Sequence, residues 1–281
     1  MILSGKEVSS ALKAGLAAQV ATFPEKYGRA PHLAVILVGD NPASQIYVRN
    51  KAKACESIGI TNTTITMPAD STEEAVLAEI KRLNEDSGVD GILVQLPVPK
   101  QINTARIIEA IAREKDVDGF HPGNVAALWQ KMPCMVPCTP KGIMKLLAHA
   151  GVDPKGKRAV VIGRSNIVGL PVAKLLLDAN ATVTMCHTRT VDLPSITRQA
   201  EILVVAAGAA KMVTGDMVSD GVVVIDVGMD HDADGKLCGD VDYDSVAPKA
   251  SWITPVPGGV GPMTIACLME NTVEAFLAKQ K

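Results

Sequence analysis

The stretch that most constrains this chain is a run of seven residues, 32–38 (His-Leu-Ala-Val-Ile-Leu-Val), apolar after its first position and closed by Gly39-Asp40-Asn41-Pro42. A strand apolar on both faces belongs inside a parallel sheet with helices on each side. The segments that follow meet that demand. A helical pattern runs from residue 42 to about Ile58, and residues 61–67 alternate as a second strand. Ser71-Thr-Glu-Glu74 carries a capping-box pattern opening a helix that ends near Asn84, and residues 91–96 read as a third strand. Strand, helix, strand, helix, strand implies parallel pairing with right-handed crossovers. Ahead of them, Val8, Leu12, Leu16, Val20 and Phe23 recur at helical spacing from Gly5 to about Tyr27.

The same alternation begins again further on. Helical patterns at 104–113, 124–129 and 139–150 lead to a strand that runs into Gly163-Arg-Ser-Asn-Ile-Val-Gly169 and a helix over 172–179. Strands follow at 181–186, 202–206 and 222–227, with turns at Gly208 and Gly228. The stretch 254–264 is too rich in Pro and Gly for regular structure, and the last helix is expected from 264 to about 279, packing back on the first half. At 281 residues the chain is long enough for two such units.

Composition narrows the function. A formal charge of −2 with aromatics at only 3% argues against nucleic acid as a partner. No apolar run approaches a membrane span, so no membrane partner is expected, and the start of the chain lacks a secretory pattern, which gives a cytoplasmic expectation. The six cysteines show no repeated short spacing and no His motif beside them, so neither a metal site nor a disulfide framework is expected.

Several polar residues stand where ligands gather in α/β folds, at the carboxyl ends of strands. Tyr47 and Lys51 are four residues apart, which on a helix puts them on one face about 6 Å apart along the axis. They form either a solvated surface pair or a proton carrier beside a flat ligand. Gln95 ends an apolar run and must either satisfy backbone groups or meet a ligand. Asp118 is a turn former or a ligand acceptor, and Asp226, late in an apolar run, a ligand or a supporting group. The turn bounded by Gly163 and Gly169 is a variant of the dinucleotide fingerprint that presents backbone N–H groups to phosphate. The next strand ends in His187-Thr188-Arg189-Thr190 and carries no acid there. Arg164, Thr188 and Arg189 can then receive a 2′-phosphate, favouring NADP, or form an ordinary basic turn.

Taken together, Pro42-Ala-Ser-x-x-Tyr47-Val-x-x-Lys51-x-Lys-Ala-Cys55, Gly91-Ile-Leu-Val-Gln95-Leu-Pro97, Lys115-Asp-Val-Asp118-Gly-Phe-His121-Pro, Cys138-Thr-Pro140, Gly163-Arg-Ser-x-Ile-Val-Gly169-x-Pro, Ile225-Asp-Val-Gly228 and Thr254-Pro-Val-Pro-Gly-Gly-Val-Gly-Pro-Met-Thr264 resemble the bifunctional methylenetetrahydrofolate dehydrogenase/methenyltetrahydrofolate cyclohydrolase family. The matches span both halves in the family's order. Two places depart from its usual wording, Gly123 and Ala207-Gly-Ala-Ala-Lys211, and neither touches the Lys51 group.

The resemblance implies an α/β protein of two domains: an N-terminal α/β/α catalytic, folate-binding domain (1–139 plus 265–281) and a C-terminal Rossmann-like NAD(P)-binding domain (140–264), with the C-terminal helix returning to the first. It implies NADP-dependent oxidation of 5,10-methylenetetrahydrofolate to the methenyl form, then hydrolysis to 10-formyltetrahydrofolate, one cleft serving both steps, in a homodimer. The implied roles put Lys51 as the acid/base group, Gln95 as its hydrogen-bonding partner, Tyr47 as the ring stacked on folate and Asp118 as the acceptor for the pterin. Val94, Leu96, Pro257, Gly258, Gly259 and Pro262 complete the implied substrate surface. The cofactor surface comprises Gly163, Arg164, Ser165, Ile167, Thr188, Arg189, Ala207, Gly208, Val227 and Gly228, and no metal is implied. An NADP-dependent dehydrogenase of amino or hydroxy acids and a dinucleotide-sensing binding protein are the rival readings.

Overall fold

The structure, a computed structural model, describes residues 1–280. The chain divides into two compact units: Ala11–Cys138 with the chain from Ile265 onward, and Met1–Ser10 with Thr139–Thr264.

Along the first unit run α1 (Gly5–Val20), whose first residues count with the other unit, α2 (Phe23–Tyr27), β1 (His32–Val38), α3 (Pro42–Ile58), β2 (Thr61–Met67), α4 (Glu73–Glu85), β3 (Gly91–Val94), α5 (Thr104–Ala110) and α6 (Pro122–Trp129). The three strands form a parallel sheet in the order β2-β1-β3, with Ile36 opposite Ile65 on one side and Val94 on the other. Burial follows from the pattern. Ala34, Ile36 and Val38 pack with Val76, Ile80 and Leu83 of α4 and with Ile92 and Val94, a single apolar layer between sheet and helix. At the edge of this layer the buried Asp90 carboxylate accepts from Arg29 at 2.6 and 2.8 Å. Burial alone would raise this carboxyl, but the hydrogen bonds from Arg29 and the His32 backbone, with Lys279, hold it below its ordinary value.

Local hydrogen bonds moved two expected boundaries. The cap of α4 is Thr72, whose hydroxyl accepts from the Ala75 N–H at 3.2 Å. The capping box expected from Ser71 does not form: the Ser71 N–H closes a turn onto the Pro68 carbonyl and the cap falls one residue later, at Thr72. α5 ends at Ala110, short of 113, because the Asn84 amide donates to the Ala110 carbonyl (2.7 Å) while its oxygen accepts from the Ala112 N–H (2.9 Å). Those are backbone groups at which the helix gives way to an extended residue, Ile111.

The second unit holds α7 (Cys138–His149), β4 (Arg158–Ile162), α8 (Gly169–Asp178), β5 (Thr182–Cys186), α9 (Leu193–Thr197), β6 (Ile202–Val205), β7 (Val223–Asp226), the short antiparallel pair β8 (Asp230–His231) and β9 (Leu237–Cys238), α10 (Tyr243–Val246), β10 (Trp252–Ile253) and the start of α11 (Val260–Ala278). Its sheet is parallel in the order β10-β7-β6-β4-β5. The chain leaves β4 for β5 on one side and then crosses to β6 on the other. The turn after β4 therefore opens onto the switch point, the place where such sheets take ligands.

By contact, residues 1–10 group with the second unit. The Leu3 N–H donates to the Ile253 carbonyl (2.8 Å), the Ile253 N–H to the Met1 carbonyl (3.0 Å) and the Lys6 N–H to the Gly258 carbonyl (3.1 Å), so the chain start pairs beside β10 in the second unit. An edge strand has unpaired backbone groups that accept any extended segment brought to it, a choice the local pattern does not encode. Both α8 and α11 begin earlier than expected, at Gly169 instead of 172 and at Val260 instead of 264. Pro171 and Pro262 lie in the first turns, where a residue without an N–H costs no helical bond.

Candidate active site and cofactor edge

In the first unit the carboxyl ends of β1 and β3 and the loop before α6 bring the chemistry-bearing residues to one edge. α3 starts four residues after β1, capped by Asn41, whose side chain accepts from the Ser44 N–H at 3.1 Å. Tyr47 and Lys51, one turn apart on this helix, are both half-buried. Gln95 follows β3 directly, and its backbone N–H continues the ladder to the Ile36 carbonyl at 2.8 Å.

The Gln95 side chain has one orientation. Its Nε2 donates to the Leu96 carbonyl at 2.7 Å, and a carbonyl can only accept. Oε1 is thereby turned to Lys51, whose Nζ donates to it at 3.0 Å. The two alternatives open for Gln95 in the sequence are thus joined, since one end satisfies backbone and the other holds the lysine.

Asp118 is carried by a loop that runs beside β3, with Asp116 in a parallel bridge to Ile92. Its neighbours do the structural work. The buried Asp116 carboxylate accepts from the His121 N–H (2.8 Å) and Asn124 Nδ2 (2.9 Å), and the buried Lys115 donates to the carbonyls of Leu83, Asn84 and Asp86 at the end of α4. The turn at Gly119 closes through the Asp116 carbonyl at 3.2 Å. Asp118 is spared that task, and its Oδ1 accepts a long contact from the Cys138 thiol at 3.8 Å. Burial pushes its carboxyl up to about 6, opposed by the Lys51 charge and reinforced by Asp116. Burial also raises the Tyr47 phenol above its ordinary value, and pushes the Cys55 thiol, one turn beyond Lys51, up to about 12. Cys55 is inert by that measure.

Two residues of this site were not found from sequence. Asn271, fully buried on α11, donates from Nδ2 to the carbonyls of Val117 (2.8 Å) and Val136 (2.9 Å) and approaches Cys138 Sγ at 3.6 Å, so it fixes both segments that flank Asp118. Cys138 is the second, present in the Cys138-Thr-Pro140 stretch but given no role there. For Asn271 the cue is an amide within a largely apolar helix, since a buried amide must find partners.

Pro257, Gly258, Gly259 and Pro262 lie in the second unit, between β10 and the first turn of α11. In that unit the turn after β4 is built for close approach. Gly163 has φ +109°, and a Cβ there would stand 2.0 Å from the Ala206 carbonyl oxygen, so the position admits only glycine. Arg164, Ser165 and Ile167 are exposed beyond it, and Ser165 Oγ accepts from the Val168 and Gly169 N–H groups at the start of α8. At the end of β5, His187 organises a turn, its N–H donating to Thr190 Oγ1 (2.8 Å) and its Nδ1 accepting from the Arg189 N–H (3.1 Å), which leaves Thr188 and Arg189 exposed. An exposed cationic rim beside a glycine turn at a helix start fits a phosphorylated dinucleotide. Asp226 is buried and engaged with backbone: it accepts from the N–H groups of Gly228, Asp240 and Val241 at 2.9 to 3.0 Å, so of its two readings the supporting role holds. Among the described residues no cluster of His, Cys, Asp and Glu could hold a metal ion, and no helix is long and apolar enough to cross a membrane.

Sequence profiles of tetrahydrofolate dehydrogenase/cyclohydrolase match the chain twice, the catalytic domain over residues 3–118 and the NAD(P)-binding domain over residues 137–280. A curated relative, the bifunctional protein FolD of Acidiphilium cryptum, is 57% identical over 279 residues, 99% of each chain, and that of Wolinella succinogenes is 54% identical over 280 residues, 100% of this chain and 98% of the other. Among solved structures, the bifunctional FolD of Campylobacter jejuni superposes with a TM-score of 0.97 at 50% identity over 99% of each chain. The methylenetetrahydrofolate dehydrogenase-cyclohydrolase of Trypanosoma brucei, solved with NADP cofactor and an inhibitor, gives 0.96 at 40% identity, covering 100% of this chain and 98% of that one.

Proposed function

The chain belongs to the tetrahydrofolate dehydrogenase/cyclohydrolase family, and from that premise we propose that Lys51 is the group through which its hydrolytic half operates. The protein is a bifunctional one-carbon folate enzyme: it oxidises 5,10-methylenetetrahydrofolate with NADP⁺ and hydrolyses the methenyl product to 10-formyltetrahydrofolate. The observation that carries the role of Lys51 is its 3.0 Å hydrogen bond to a glutamine whose other end is anchored to backbone.

Hydrolysis removes a proton from the attacking water and returns one to the ring nitrogen as its bond to the one-carbon unit breaks. A single amine that cycles between both protonation states does both. Gln95 holds that amine in one direction, and the Tyr47 ring, one helical turn away, offers a flat face for the folate. Asp118, with its carboxyl near 6, is ionised at neutral pH and accepts hydrogen bonds from the donor edge of the pterin. Lys51→Met is expected to abolish hydrolysis of the methenyl substrate, followed by loss of its absorbance; a near-parental rate in that variant removes the assignment.

The cofactor, when bound, supplies the hydride acceptor. Gly163, Arg164, Ser165 and Ile167 of the turn, Thr188 and Arg189 at the end of β5, and Ala207, Gly208, Val227 and Gly228 after β6 and β7 would hold it. The protein's contribution to that step is orientation. We place the enzyme in the cytoplasm as a homodimer acting on tetrahydrofolate derivatives. Sedimentation equilibrium checks the dimer: twice the chain mass is expected at micromolar concentration, and a single-chain mass overturns it.

A further inference from the structure

The loops that follow β6 and β7 are held by one pair of buried carboxylates. Asp226, the last residue of β7 and 4% exposed, accepts from the N–H groups of Gly228 (2.9 Å), Asp240 (3.0 Å) and Val241 (3.0 Å). Asp240, fully buried, accepts in turn from three consecutive N–H groups, Ala207 (2.6 Å), Gly208 (3.2 Å) and Ala209 (2.8 Å). The order is therefore loop 227–228, Asp226, segment 239–241, Asp240, loop 207–209. Nothing bulkier than hydrogen fits at Gly239, where a Cβ would stand 1.9 Å from Asp226 Oδ2.

Successive N–H groups converging on one point form an anion-binding concavity, and charge-assisted bonds to a carboxylate are among the stronger hydrogen bonds a protein makes. In a dinucleotide fold a free concavity at the carboxyl end of a strand is a natural seat for a phosphate. Here it is already filled from within. We propose that Asp240 is a positioning residue for the dinucleotide: it occupies the anion seat of residues 207–209, leaves the cofactor's phosphates to the turn at Gly163–Gly169, and through Asp226 sets the loops after β6 and β7 in one arrangement. The inference deepens the dinucleotide reading of this unit and rests on it.

Burial works against the charge at this site: it pushes the Asp226 carboxyl up to about 6, and it raises the neighbouring Asp230, with Asp240 beside it adding to the effect. The three N–H groups that reach Asp226 oppose the effect of burial there, and three more reach Asp240, so six backbone N–H groups are committed to this one pair of side chains.

The test compares the full-length parent with Asp240→Ala and Asp240→Asn, measuring the KM for NADP⁺ in the dehydrogenase reaction and, on the same preparations, hydrolysis of methenyl substrate without nucleotide. Asp240→Ala empties the seat. Its KM for NADP⁺ is expected to rise by at least tenfold with a smaller change in kcat, while hydrolysis stays within about twofold, and added sodium formate should recover much of the loss by refilling the seat. Asp240→Asn keeps the seat filled but sets an amide N–H₂ against N–H donors, so its KM rises and formate does not help. An unchanged KM in Asp240→Ala, a loss shared equally by both reactions, or no recovery with formate overturns the proposal. If the parent itself fails to bind NADP⁺ in a nucleotide titration, the dinucleotide reading fails instead.

Discussion

Gln95 and Asp118 each depend on a neighbour that settles what their side chains are free to do. Gln95 would be an ambiguous amide but for the Leu96 carbonyl, which assigns its nitrogen and so turns its oxygen to Lys51. Asp118 would be another turn-forming aspartate but for Asp116, which takes the turn upon itself. A consequence for stability follows. The Asp118 carboxyl binds its proton more tightly folded, near 6, than unfolded, near 3.8, so the folded state holds the extra proton between those values and stability falls as pH rises through that window. Asp118→Asn removes this contribution. Relative to the parent, the variant should gain stability from about pH 4 to about pH 7, by up to about 3 kcal/mol at 1.36 kcal/mol per unit. Urea unfolding at a series of pH values reads the difference; a constant difference shows that Asp118 does not titrate in this range. The sequence marked Tyr47 and Lys51 as candidates by their four-residue spacing, Gln95 by its place at the end of an apolar run and Asp118 by its place in a polar loop, while their roles came from the family resemblance. Asp240 was not marked, since its role consists of bonds to residues 31 to 33 positions away.

At the scale of elements, α11 is the most consequential. It begins in one unit and, from Ile265, counts with the other, where Phe276 stacks on Phe23 at 5.2 Å and meets Tyr27 edge-on at 5.5 Å. Asn271 on the same helix serves the carbonyls on each side of Asp118. Asn271→Leu leaves those carbonyls buried without their donor, at a cost of about 1 to 3 kcal/mol. The urea midpoint should fall accordingly and the KM for folate should rise more than kcat falls, because Asp118 is released while Lys51 and Gln95 stay in place. A variant with unchanged midpoint and KM shows that Asn271 has no such part. The misplaced boundaries have separate local causes: a stop made by a side chain from elsewhere, as with Asn84 on α5, a cap shifted by one residue, as at Thr72 on α4, and prolines that a first turn absorbs, as at Pro171 and Pro262.

For the whole molecule, the repeated strand and helix pattern already determined two parallel α/β units, because a strand apolar on both faces has no stable place except between helices. It also marked the glycine turn at residue 163 and the polar residues at strand ends, whose chemical identity limits what they can do. Tertiary structure alone decided three things. It assigned the first ten residues to the second unit, through an edge strand that accepts any extended partner. It oriented Gln95 and relieved Asp118 of its turn, through bonds between segments far apart in the chain. And it filled the seat after β6 with Asp240. Hydrophobic periodicity is local and survives in sequence, whereas the partner of a buried polar group is settled only when packing has excluded water from every other choice.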